Sequence, residues 1–156
     1  MKACVFAGTF DPFTCGHAYV VESCLNMFDK VIVAVGENVD KSPMFTLDER
    51  VQMINAVYSN EKRVEVKTFS GMLTDFMKEN GIEINVRGIR DYDDYKYETT
   101  MARYNKDLYD KIITVYLPTP NELTYVSSSA VRNVLQLKSD ASSYVPKAVW
   151  EYITNK

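Results

Sequence analysis

Five short β-branched runs, Lys2 to Phe6, Lys30 to Gly36, Arg63 to Phe69, Glu83 to Arg87 and Lys111 to Leu117, alternate with helical patterns along a chain of 156 residues. Parallel neighbours cannot be joined by a tight turn, so this alternation restricts the chain to a parallel sheet with helical crossovers. A hydrophobic fraction of 46% suits one domain over residues 1–156. A chain of this size buries roughly 70% of its unfolded surface. No linker, repeat or low-complexity segment divides it.

The helices between the runs are legible from spacing and caps. Val20, Val21, Cys24, Leu25 and Phe28 fall on one face of the first, as expected of a helix packed on a sheet. Thr46-Leu47-Asp48-Glu49 matches a capping box, so a second helix starts near Leu47 and turns Val51, Ile54 and Val57 inward. A third runs from Met72 to Asn80, ended by Gly81. A fourth, rich in tyrosine and methionine, runs from near Asp93 to about Leu108. Ser129 to Leu137 and Pro146 to Tyr152 complete the set.

Charge and cysteine usage narrow the partners. A net charge of -3 provides no global field for nucleic acid, so the cations that matter are few and local, and a small polyanion is the expected ligand. Cys4, Cys15 and Cys24 are an odd set without C-x-x-C spacing, which argues against a disulfide framework or structural zinc and for a reducing compartment. No second histidine exists elsewhere to form a thiolate pair with Cys15, so it reads as a loop filler, and Cys4 and Cys24 as small buried hydrophobes. Neither an export signal nor a run of about 18 apolar residues is present. A cytoplasmic protein without membrane contact is the expectation.

Thr9-Phe10-Asp11-Pro12-Phe13-Thr14-Cys15-Gly16-His17 joins the first run to the first helix. A helix N-terminus presents unpaired N–H groups and the positive end of the macrodipole, so such a junction is an anion site before any side chain is considered. Gly8 allows close approach of a ligand, Thr9 offers a hydroxyl at the strand end, and Asp11-Pro12 is a turn pair. His17 lies in the first helical turn, where its ring reaches the same anion.

Ligands of open parallel sheets bind beyond the carboxyl ends of the strands. Lys41 follows the second run there. Arg87-Gly88-Ile89-Arg90 follows the fourth, with the glycine read as a tight turn releasing two guanidinium groups to grip phosphate oxygens. Ser127, Ser128 and Ser129 open a second helix N-terminus after the fifth. Two helix starts and three cations suit a triphosphate.

Thr14-Cys15-Gly16-His17 resembles the T/H-x-G-H motif of the nucleotidyltransferase superfamily, and threonine at its first position resembles the phosphopantetheine adenylyltransferase branch. Lys41 to Arg50, Arg87 to Arg90, Asp94 to Glu98, Asn105-Lys106 and Tyr125 to Arg132 extend the resemblance over nearly the whole chain. It implies a Rossmann-like single domain with a five-stranded parallel sheet flanked by helices. It also implies reversible transfer of AMP from ATP to 4'-phosphopantetheine, giving dephospho-CoA and pyrophosphate, with Mg2+. CoA is a further product-side ligand, and a homohexamer is the implied assembly.

Carried over by position, His17, Thr9, Lys41 and Arg90 form the catalytic set. Thr9 and Lys41 orient the attacking phosphate, and His17 stabilises charge on the α-phosphate as a hydrogen-bond donor rather than a base. Arg90 and Ser127 to Ser129 hold the β- and γ-phosphates, with Gly8, Phe10, Gly88, Asp94 and Glu98 also on the nucleotide side. Arg87 contacts the incoming phosphate, and Met72, Leu73 and Asn105 line the pantetheine arm. Phe6-Ala7-Gly8 departs from the family's Tyr-Pro-Gly, Leu123 stands where an aromatic is usual, and Leu117-Pro118-Thr119-Pro120 replaces Leu-Met-Pro-Ser or Thr. These departures bear on nucleotide contacts. The alternatives are a sibling enzyme with another acceptor, such as nicotinamide mononucleotide, and a non-catalytic nucleotide-binding module.

Overall fold

The computed structural model describes residues 1–37 and 42–156. The sequence expectation for Lys41 lies outside the described residues. Strands β1 (Ala3–Gly8), β2 (Lys30–Gly36), β3 (Val64–Phe69), β4 (Ile84–Ile89) and β5 (Ile113–Pro118) form one sheet of order β3-β2-β1-β4-β5. Every neighbouring pair is parallel. The helices are α1 (Cys15–Leu25), α2 (Leu47–Val57), α3 (Leu73–Glu79), α4 (Tyr92–Leu108), α5 (Ser128–Gln136) and α6 (Lys147–Thr154). A short 3-10 turn spans Asn121–Leu123. All five strands and all six helices anticipated from spacing are present, with ends shifted by a few residues.

Strands β1 and β2 read as nearly continuous apolar runs because both of their faces are covered. Cys4 and Phe6 of β1 and Val31, Val33 and Val35 of β2 join one core with Val20, Val21 and Cys24 of α1, Ile54 of α2 and Val149 of α6. Val5, Ala7, Ile32 and Ala34 face the other way, onto Phe76 and Met77 of α3. Helix α4 contributes no buried residue. Its aromatic residues Tyr92, Tyr97 and Tyr104 are exposed, so its tyrosine content reflects its outer position rather than core packing.

One local expectation is corrected. Gly88 does not sit in a tight turn: β4 continues to Ile89, and Gly88 pairs with Leu117 of β5. A Cβ on Gly88 would lie 3.1 Å from Val20 Cγ2. The glycine therefore lets α1 close onto the sheet, which the neighbouring arginines had obscured in the sequence.

From β1 the chain proceeds outward to β2 and β3, then crosses to β4 and β5 on the opposite side. The strand order reverses between β1 and β4, so the loops leaving their carboxyl ends part there and open a crevice. The crevice is where the rest of the architecture converges.

Candidate active site

His17 is held by a reciprocal cap. Thr14 is the N-cap of α1, its Oγ1 accepting from the His17 amide at 3.4 Å, while the Thr14 amide donates to His17 Nδ1 at 3.0 Å. An amide nitrogen only donates, so Nδ1 is the ring's acceptor and the neutral ring carries its proton on Nε2. Burial, and then the charges of Arg87 and Arg90, lower the His17 pKa to about 3. Phe10 meets the ring edge to face at 4.9 Å between centroids, and Phe6 and Phe13 complete an aromatic collar. The result is a fixed neutral N–H donor beside two cations.

Phe10 adopts φ +54°, a left-handed conformation that costs a bulky residue energy. Its ring folds back so that a Cβ on Gly8 would lie 3.0 Å from Phe10 Cε1 and Cζ. Glycine at position 8 thus accommodates the phenyl group that orients His17, a reason not visible in the sequence.

A cavity of about 420 Å³ opens above this floor, and all the expected nucleotide-side residues line it. Gly8, Thr9, Phe10 and His17 come from the end of β1, the loop after it and the first turn of α1; Gly88, Arg90, Asp94 and Glu98 from the end of β4, the link to α4 and α4 itself; Ser127, Ser128 and Ser129 from the start of α5. Two helix N-termini therefore face one space, as the sequence suggested.

Each serine hydroxyl also makes a bond within the protein. Ser127 Oγ caps α5 by accepting from the Ala130 amide at 3.1 Å, Ser128 Oγ donates to Pro12 O at 2.8 Å, and Ser129 Oγ accepts from Arg132 Nη2 at 3.1 Å. The Ser128–Pro12 bond ties the start of α5 to the loop after β1. The amides of Ser128 and Ser129, at the first helical positions, are the groups that lack an intrahelical acceptor.

The two arginines are aimed by acids of α4. Arg90 Nε donates to Asp94 Oδ2 at 3.1 Å. Arg87 makes a fork on Glu98, at 2.6 and 3.2 Å, and its Nη1 donates to Ala7 O at 2.6 Å. Each guanidinium carries five N–H donors, so both retain donors for a ligand. Asp94 and Glu98 thus serve first as orienting partners.

A second cavity, of about 430 Å³, lies on the other side of β1 and β4. Met72, Leu73 and Asn105, expected around a ligand arm, line it together with Met101 and Ala102. Gly8, Thr9, Arg87 and Glu98 border both cavities, so a group reaching in from the second meets the first at Thr9 and Arg87.

Behind the site stand buried groups whose roles the sequence did not reveal. Asp11, 4% exposed, accepts from the Met44 and Phe45 amides, each at 2.9 Å. Arg50, 2% exposed, donates to the carbonyls of Phe45, Thr9 and Gly36 at 3.1, 2.8 and 3.1 Å. Arg132 Nη1 donates to Asp11 O at 2.8 Å. The spacing Thr14-x-x-His17 was a readable cap signal with histidine in the glutamate position. The partners of Asp11 and Arg50 lie more than thirty residues away in at least one contact each, and no local signal marks them.

Comparison with known proteins agrees with this geometry. The cytidylyltransferase-like family matches residues 5–134. A phosphopantetheine adenylyltransferase of Alkaliphilus metalliredigens is 38% identical over 156 residues, covering 100% of this chain and 99% of the relative. One of Methylobacillus flagellatus is 43% identical over 152 residues, covering 97% and 95%. The solved structure of a bifunctional NMN adenylyltransferase/ADP ribose pyrophosphatase from Francisella tularensis superposes with a TM-score of 0.77 at 16% identity, over 99% of this chain and 49% of that one, a likeness of fold. With its crevice at the β1/β4 reversal and its near full-length relatives, the chain belongs to the phosphopantetheine adenylyltransferase family.

Proposed function

We propose that the protein reversibly transfers AMP from ATP to 4'-phosphopantetheine, giving dephospho-CoA and pyrophosphate. The observation that carries this reading is the pair of cavities meeting at Thr9 and Arg87. One has the helix N-termini and cations a triphosphate needs; the other has a mixed apolar and amide lining suited to a long arm ending in phosphate.

An oxygen of the acceptor phosphate forms a bond to the α-phosphorus as the bond to the bridging oxygen of the β-phosphate breaks, and pyrophosphate leaves with that electron pair. A phosphate monoester is already a nucleophile, so no covalent enzyme intermediate is needed, and alignment with charge stabilisation supplies the acceleration. Thr9 and Arg87 orient the incoming phosphate. His17 Nε2–H donates to an α-phosphate oxygen without transferring its proton, and Arg90 and the Ser128 and Ser129 amides hold the departing pyrophosphate.

Magnesium belongs to this reading as a companion of the triphosphate. Asp94 and Glu98 are paired with arginines and Asp11 is taken up by amides. Such a donor set would suit Mg2+ carried in on the triphosphate rather than held by protein carboxylates, and the ion would supply neutralisation of phosphate charge. The reading also carries a homohexamer in the cytoplasm; the exposed aromatic residues of α4 support an assembly contact, and sedimentation tests it.

The deciding experiment is pyrophosphate release with ATP, Mg2+ and 4'-phosphopantetheine, beside parallel reactions offering CTP or nicotinamide mononucleotide. Turnover with the first combination alone is expected. Activity only with another acceptor would overturn the substrate, and silence throughout would leave a nucleotide-binding module.

A further inference from the structure

Among the described residues, two buried side-chain polar atoms lack a hydrogen-bond partner: Tyr58 Oη and Asn85 Oδ1. Tyr58 packs against Phe13 in the core. Asn85 is different, because it lines the second cavity while being only 2% exposed.

Its position in the sheet explains the orientation. Asn85 pairs with Val5 of β1 and Thr114 of β5. Side chains in register on neighbouring strands share a face, so Asn85 sits on the face where Val5 and Ala7 meet the α3 side. Arg87, two residues on, lies on that same face. The wall therefore runs from the phosphate-binding guanidinium down to a carboxamide, with the Thr114 hydroxyl beside it.

An apolar residue would pack this position without penalty, whereas a buried carboxamide oxygen left unpaired is costly. Resting on the function proposed above, we infer that Asn85 is a specificity residue for the acceptor: its Oδ1 accepts an N–H from an amide of the arm lying in the second cavity. The interaction distinguishes an amide-bearing arm from an alkyl chain of the same length, because the alkyl chain leaves the oxygen unpaired. ATP, in the other cavity, does not meet Asn85.

Asn85→Leu, with the same number and branching of side-chain heavy atoms, removes the acceptor. The expected result is a rise of about tenfold in KM for 4'-phosphopantetheine, the worth of one good hydrogen bond, with kcat and the KM for ATP unchanged. A structural role alone predicts no such split, and the thermal midpoint should hold or rise because an orphaned polar atom is removed. An acceptor N-methylated at its arm amides should bind more weakly to the wild type but equally to both proteins. If Asn85→Leu fails to fold, Asn85→Val is read the same way. An unchanged acceptor KM in a folded variant, or equal changes for ATP and acceptor, overturns the inference alone. A wild type that does not use the acceptor overturns it together with the proposed function.

Discussion

The proton position on His17 follows from a single backbone bond. Because the Thr14 amide occupies Nδ1, and because burial and two arginines hold the pKa near 3, the ring stays a neutral donor across the physiological range. The pH profile of kcat should therefore show no His17 inflection between pH 5 and 8; a step near 6.5 that disappears in His17→Gln would contradict this. His17→Ala should lower kcat by about 10²–10³, the worth of one oriented donor, while the circular dichroism spectrum stays unchanged. Stability follows the same linkage: the folded pKa is depressed from 6.5, so the histidine's contribution is complete above pH 6.5 and is lost as pH falls towards 3. Differential thermal melts of wild type and His17→Gln between pH 7 and 4 measure it. His17 itself was readable from Thr14-x-Gly16-His17, but its tautomer and its Phe10 backing were not, since both depend on how the loop folds back.

At the scale of elements, α1 is the part that converts sequence into chemistry. Its cap fixes His17 and its Val20 face rests on Gly88. Thr14→Val should cost about 1 kcal/mol of stability through the lost cap and also lower kcat, whereas Thr14→Ser should preserve both; urea unfolding and steady-state kinetics separate the effects. Gly88→Ala places a methyl group against Val20 and should cost about 1–3 kcal/mol by overpacking, measured as a lower denaturation midpoint at constant m. Strands β1 and β2 were legible because burial on both faces demands unbroken apolar runs, and the others because short β-branched segments alternate with helical patterns. The end of β4 was not, because a glycine between two arginines has the same local signature in a turn and in a strand approached by a helix.

For the whole molecule, long-range ties fix the loops that leave β1 and β2 at one side of the site. Arg50 joins the ends of β1 and β2 to the start of α2, and Asp11 fastens the loop ahead of α2 to the turn after β1. Arg50→Met should destabilise the protein by on the order of 3 kcal/mol, since it strips partners from buried carbonyls, and calorimetry would register the drop. The sequence by itself determined the alternation of strands and helices, the two helix N-termini and most of the residues around them, because periodicity, caps and strand ends are local properties of the chain. Only the tertiary structure decided that β1 and β4 part to make two cavities, that Asp94 and Glu98 aim the arginines, and that Asn85 has an oxygen without a partner. Those outcomes depend on which segments become neighbours when the sheet closes, and local composition does not encode such distances.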